Sequence, residues 1–260
     1  MKFLWITDPH CDALNGGMSE LLDLVSHTDS TVLLTGDISS SSTVDSLDDI
    51  RRSASGQAYF VLGNHDYYGT SFGARRATIR DYVSNDHFKY LTLGAAVEYE
   101  DGKFICGADC WCDCGYGDVN ASNVAIRDFH EIMNFSGMDK NHIVSNCRRF
   151  AKNDVDLLFT QISDALKESP KRILVLTHIP PFAGNVISNG VMADSNHLPW
   201  FACKMLGDML YRLADENQNV EFKVLCGHAH SSAVVTPLKN LTVNTGHAEY
   251  GVVRYETFEF

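Results

Sequence analysis

Five short stretches of the 260-residue chain carry residue types that bind hard metal ions or move protons: Asp8-Pro9-His10, Gly36-Asp37, Gly63-Asn64-His65-Asp66, His178, and Gly227-His228-Ala229-His230. Carboxylate and amide oxygens mixed with imidazoles suit cations of intermediate hardness. Two such cations side by side would supply a nucleophile at neutral pH and a sink for charge on phosphoryl oxygens, which is what hydrolysis of a phosphoester needs. Each stretch is weak alone. An Asp-x-His pair is usually a turn, Gly-Asn-His-Asp is ordinary turn composition, and a histidine before Ile179-Pro180-Pro181 fits a hydrogen-bonded core residue. Gly-His-Ala-His is more pointed, because alternate imidazoles on extended backbone face one side.

The elements in front of these stretches give the set its weight. Buried strands are expected over Phe3 to Thr7, Thr31 to Thr35, Tyr59 to Leu62, Arg172 to Thr177 and Glu221 to Cys226, each a short run of β-branched, aromatic and other apolar residues. Every candidate group directly follows one of these runs, where the carboxyl ends of parallel strands collect ligand loops in open α/β folds. Helices are expected over Met18 to Ser26, Ser46 to Arg52, Arg75 to Val83, Asp154 to Glu168 and Phe201 to Glu216, from apolar residues three and four apart. The strand and helix alternation implies parallel strands joined by crossovers. Tyr90 to Leu93, Ala96 to Glu100, Lys103 to Gly107, Ala233 to Pro237, Thr242 to Asn244 and Gly251 to Phe260 interrupt it as hairpin-connected strands, with Glu100-Asp101-Gly102 a turn. The simplest architecture is a four-layer α/β/β/α sandwich of two mixed sheets flanked by helices. No linker divides residues 1–260, so one domain is expected, with an insertion of short helices or loops at about 115–150.

In this order and at these strand ends the motifs resemble the calcineurin-like metallophosphoesterases, whose signature runs D-x-H, G-D, G-N-H-[DE], H, G-H-x-H. The resemblance extends from Asp8 to His230. It implies that Asp8, His10, Asp37 and His230 surround one metal and Asp37, Asn64, His178 and His228 a second, with Asp37 bridging. The two ions are expected to be divalent or trivalent, drawn from Mn, Fe, Zn, Co and Ni. His65 is left free of metal, to give a proton to the leaving oxygen or to hydrogen-bond a phosphoryl oxygen. Asp66 is expected to orient His65 and raise its pKa.

The implied activity is metal-dependent hydrolysis of a small phosphodiester or nucleotide. A phosphomonoesterase with the same centre is the runner-up. Ile38-Ser39-Ser40-Ser41-Ser42 after Asp37, and Asp66 in place of Glu, disfavour the phosphoprotein phosphatase branch. A net charge of −12 repels polyanions and disfavours long nucleic acid, and with it a nuclease. A scaffold without turnover has no use for His65. Substrate contacts are expected from Asp109, with Trp111 and Tyr116 beside it, and from His197 and His247 in polar loops. His27, His87, His130 and His142 read as surface or helix residues. Cys106, Cys110, Cys112 and Cys114 are spaced poorly for structural zinc, so they read as a cysteine-rich strand end in a reducing compartment. With an apolar run of only four residues before Asp8 and no membrane span, the chain is expected to be cytoplasmic.

Overall fold

The computed structural model describes residues 1–188 and 190–260. Its elements are β1 (Lys2–Ile6), α1 (Ser19–Ser26), β2 (Thr31–Thr35), α2 (Thr43–Ser53), β3 (Ala58–Val61), α3 (Phe72–Thr78), β4 (Phe88–Tyr90), β5 (Val97–Glu100), β6 (Lys103–Gly107), α4 (Asp128–Glu131), α5 (Lys140–Lys167), β7 (Arg172–Leu176), β8 (Ile187–Ser188), β9 (Val191–Met192), α6 (Leu198–Phe201), α7 (Lys204–Glu216), β10 (Glu221–Cys226), β11 (Ala233–Leu238), β12 (Leu241–Thr245) and β13 (Glu256–Glu259). One sheet runs β13-β1-β2-β3-β4, and the other β11-β12-β10-β7-β6-β5. In the first, β1 to β4 are mutually parallel, and in the second β12, β10, β7 and β6 are. The antiparallel strands β13, β11 and β5 form edges.

The two faces of each strand explain why the runs are apolar throughout. Phe3 and Trp5 point into the seam between the sheets with Leu33, Tyr59, Val61, Ile105, Leu174 and Leu225. Leu4, Ile6, Val32, Leu34, Phe60, Val175 and Val224 alternate with them and bury in the outer core with Leu21, Leu47, Leu158 and Leu210 of the helices. The expected sandwich of two mixed sheets flanked by helices is therefore the fold.

Details differ from the expectation where tertiary partners decide. The irregular stretch ends at residue 139, because α5 starts at Lys140 and runs 28 residues. Ile143, Cys147, Phe150 and Ala151 are buried at helical spacing ahead of Val155 and Leu158, and the Asp139 side chain caps the first turn by accepting the His142 N–H at 3.0 Å. The expected strand at Tyr90 to Leu93 is instead β4, parallel to β3 and not in a hairpin. The closing strand is only β13, and it returns to β1. The helix expected from Phe201 breaks at Ala202 and Cys203, where the Cys203 N–H bonds the Pro180 carbonyl at 2.9 Å.

Candidate metal centre

The parallel strands of both sheets deliver their carboxyl ends to one edge, and five loops meet there. Asp8 and His10 follow β1, Asp37 follows β2, Asn64 and His65 follow β3, His178 follows β7, and His228 and His230 follow β10. Backbone hydrogen bonds stitch loop to loop: Asp8 N–H to the Gly36 carbonyl at 3.1 Å, His10 N–H to Asp37 at 3.0 Å, and Gly227 N–H to His178 at 3.0 Å. Five of the candidate ligands hold left-handed backbone, with φ of 48° at Asp8, 41° at His10, 52° at Asp37, 67° at His228 and 56° at His230. For residues with a Cβ this conformation costs about 1–2 kcal/mol each. The fold bears that cost at the residues that must turn inward. Gly63 and Gly227 are glycines for a related reason, since a Cβ would overlap a carboxylate oxygen of Asp37 at the first and of Asp8 at the second.

Ligand atoms of Asp8, His10, Asp37 and His230 all lie within 4.8 Å of one another, and among the described residues no other group of three or more His, Cys, Asp or Glu forms such a cluster. All eight cysteines are buried free thiols. Nε2 of His10 faces Nε2 of His230 at 3.1 Å. The other expected set converges on Asn64, whose Oδ1 lies 2.9 Å from both His178 Nε2 and His228 Nδ1. His178 Nε2 is also 3.4 Å from Asp37 Oδ1.

These contacts make chemical sense around cations. The His178 Nδ1–H donates to the Thr35 carbonyl at 2.8 Å, which leaves a bare lone pair on Nε2 of the neutral ring. Asn64 gives its Nδ2–H to Asp128 at 3.0 Å, so its Oδ1 is an acceptor too. Lone pair meets lone pair at 2.9 Å, a repulsion that a cation between them converts to attraction. Burial holds His10 down to about 4, and holds His178 and His228 below the usual imidazole range as well, so all three present the neutral form that binds metal. Burial, with the charges of Asp8 and Asp66, pushes the Asp37 carboxyl well above the carboxylate range. Burial opposes ionisation of Asp8, yet its hydrogen bond to His230 and the nearby His178 hold it below that range. The residues fit two metal ions.

The neighbours correct several expectations. Asp66 does not touch His65: its Oδ1 accepts the Ile38 and Ser39 N–H groups at 3.0 and 3.1 Å and the Thr43 hydroxyl at 3.2 Å, while Oδ2 accepts the Gly63 N–H at 2.8 Å. It ties the β2 and β3 loops together. His65 Nδ1 instead meets Ser40 Oγ at 2.8 Å, its Nε2 lies 3.9 Å from Asp37 Oδ2, and its ring stacks on Tyr68 with centroids 4.6 Å apart. Its pKa is not raised; burial, with His10 and His178 beside it, lowers it to about 3.

Asp109 is buried away from the cleft, bonded to the Leu62 N–H, the hydroxyls of Tyr67, Tyr90 and Thr92, and the Arg76 guanidinium. Trp111 packs between Phe72 and Phe135 in the core and gives its indole N–H to Cys147 Sγ at 3.3 Å. Tyr116 is half-buried, its hydroxyl on the Pro181 carbonyl at 3.3 Å. His197 is exposed and paired with Asp194 at 2.7 Å, and the exposed His247 donates from Nδ1 to the His230 carbonyl at 2.9 Å.

The cleft over the centre, about 410 Å³, is completed by residues that the sequence did not single out: Tyr68, Arg127, Phe201 and Tyr250. Tyr250 stacks on His10 with centroids 4.4 Å apart, and Arg127 lies over the Tyr68 ring at 5.3 Å. Ser40, which meets His65 Nδ1, did carry a sequence signal, three residues after Asp37 in the loop already marked for chemistry.

A family model of calcineurin-like phosphoesterases matches residues 1–232. No curated protein matches the chain. Among solved structures, a dimetal phosphatase from Danio rerio superposes with a TM-score of 0.59 at 13% identity, covering 99% of this chain and 91% of the other. A 5'-nucleotidase from Candida albicans SC5314 gives a TM-score of 0.49 at 12% identity, with 95% of this chain aligned to 45% of that one. Among the described residues no helix is long and apolar enough to cross a membrane. From residue 1 to 232, with the signature groups gathered at one edge of its two sheets, the chain belongs to the calcineurin-like phosphoesterase family and hydrolyses phosphoesters.

Proposed function

We propose that the chain hydrolyses a small phosphodiester or nucleotide at a two-metal centre held by Asp8, His10, Asp37 and His230 on one side and Asp37, Asn64, His178 and His228 on the other. The convergence of Asp8, His10, Asp37 and His230 within 4.8 Å, with the His10 imidazole held neutral by burial among the carboxylates, carries this reading. Bound ions supply a nucleophile at neutral pH and neutralise charge on the phosphoryl oxygens. The donor set suits Mn, Fe, Zn, Co or Ni. The eight free thiols support a reducing, cytoplasmic setting.

The protein's own part is placement and proton control. Asp12 holds the serine loop by accepting the N–H groups of Ser40 and Ser41, each at 3.2 Å. Ser40 then donates its hydroxyl to His65 Nδ1, which leaves the ring proton on Nε2, the nitrogen that faces Asp37. His65 enters as a neutral N–H donor toward the departing or phosphoryl oxygen. Tyr68 below its ring and Tyr250 over His10 narrow the mouth and limit water.

The test is hydrolysis of bis-(p-nitrophenyl) phosphate and of p-nitrophenyl phosphate by chelated protein before and after Mn²⁺ is restored. Activity is expected only with metal and faster on the diester. Turnover that survives chelation sinks the metal mechanism, and a preference for the monoester moves the assignment to a phosphomonoesterase.

A further inference from the structure

The metal cleft continues past its ligands. The Phe201 ring lies against His228, with centroids 4.8 Å apart, and Phe201 and Ala229 line both the metal cleft and a second cavity of about 530 Å³. Val186, Ile187 and Ala193 form much of its wall, and Val191 and Met192, 66% and 54% exposed on the β8–β9 hairpin, form its lip. Among the described residues no Lys or Arg lines this cavity, and Asp194, hydrogen-bonded to His197, is exposed at the rim. A second phosphate or a carboxylate would find no cation here and would lose its hydration, whereas an apolar ring would gain by leaving water.

The direction of the reaction decides which part of a substrate reaches this cavity. His65, the N–H donor, packs on Tyr68 and His10, with centroids 4.6 and 4.8 Å away. The cavity opens beside His228, which packs on His178 and Phe201 instead. His65 and Phe201 line one cleft against different rings, so a group departing toward His65 leaves the Phe201 side to the group that stays.

We infer that the cavity behind Phe201 and Ala229 binds the arm of a phosphodiester that stays on phosphorus, and that this arm is a flat, uncharged ring. The inference rests on the hydrolase reading above and adds to it the need for a second arm, which a monoester lacks. Met192 closes the lip over the ring.

Two esters with one leaving group isolate the retained arm: p-nitrophenyl phenylphosphonate and p-nitrophenyl methylphosphonate, assayed with Mn²⁺. In both, water's oxygen forms the new P–O bond and the P–O bond to p-nitrophenolate breaks, while the P–C bond to the retained arm stays. The phenyl ester is expected to have a kcat/KM at least about tenfold higher, mainly through KM. Met192→Glu, at an exposed position where folding is not at stake, should bring the two rates together. Val234→Glu, at an apolar position 66% exposed on β11 and outside the cavity, should keep the ratio. Calorimetry of phenylphosphonate against methylphosphonate should show the same preference, and its loss in Met192→Glu, without turnover. Equal kcat/KM for the two esters, or a ratio untouched by Met192→Glu, overturns the inference and leaves the hydrolase reading standing. If metal-loaded protein cleaves neither ester, the phosphodiesterase reading is lost, and calorimetry still decides whether the cavity takes the ring.

Discussion

Two carboxylates stand in like places in the chain, directly after buried strands, and have opposite fates. Asp109 follows β6 and Asp37 follows β2, and both are almost wholly buried. Around Asp109 the protein brings its own cation. Arg76 from α3 reaches Asp109 at 3.0 Å and grips Asp154 of α5 with two hydrogen bonds of 2.7 and 2.8 Å, and Tyr67, Tyr90 and Thr92 fill the remaining lone pairs. Around Asp37 there is another carboxylate, Asp8, with imidazoles that burial keeps neutral. The first cluster carries a cation of its own, shared between two carboxylates, and ties α3 and α5 to the sheets. The second is left open to positive charge from outside, so the same residue type is a structural pin in one place and, on the proposed reading, a metal ligand in the other.

The sharpest way to break this contrast is to remove each pivot. If Asp37 bridges both metal positions as proposed, Asp37→Ala removes a ligand from each, and hydrolysis should fall by about a thousandfold or more. Metal content measured by plasma emission should drop from two ions toward one or none, while the circular dichroism spectrum holds. Full metal content in Asp37→Ala would remove it from the bridging position.

Arg76→Met should do the reverse. It leaves two buried carboxylates uncompensated, so urea unfolding should show a loss of about 3–5 kcal/mol. Metal stoichiometry of the folded fraction should be unchanged. A variant that kept its stability but lost metal would place Arg76 with the centre and dissolve the distinction.

Metal removal should then destabilise the open cluster alone. Ions at a hundred times their dissociation constant contribute about 2.7 kcal/mol to the folded state. Chelation should therefore lower the wild-type melting temperature, and the same treatment of Asp37→Ala should shift it far less. Equal shifts would mean that the ions bind elsewhere.

The smallest expected effect is at Ser40. Ser40→Ala should lower kcat by about tenfold, in the range found for groups that orient a reacting side chain, with both ions retained. The loss should be larger for esters of alkyl alcohols than for p-nitrophenyl esters, which leave without help, and Ser40→Thr should restore most of it. A uniform loss across leaving groups would assign Ser40 to the loop and not to His65.

Much of this was legible in the sequence because it is local. A run such as Val32-Leu33-Leu34 in β2 is buried on both faces and announces itself, and polar residues at its end announce a loop that faces the strand edge. That logic placed Asp8, His10, Asp37, Asn64, His178, His228 and His230 beside one another without coordinates. The long helix α5 was legible in principle as well. Its stripe of Ile143, Cys147, Phe150 and Ala151 passes for irregular only when cysteine is not counted as apolar.

The sequence by itself determined the order of strands and loops and the residue types at each strand end, since these follow from periodicity and composition over a few neighbours. It could not decide which partner each buried polar group takes, because a hydrogen bond or ion pair joins residues tens of positions apart. Only the tertiary structure set Asp66 on the backbone of the β2 and β3 loops, 27 and 28 residues from Ser39 and Ile38, and gave His65 to Ser40, 25 residues away. Only it brought Arg76 to Asp109, 33 residues on, and set Asp37 beside a second carboxylate, Asp8.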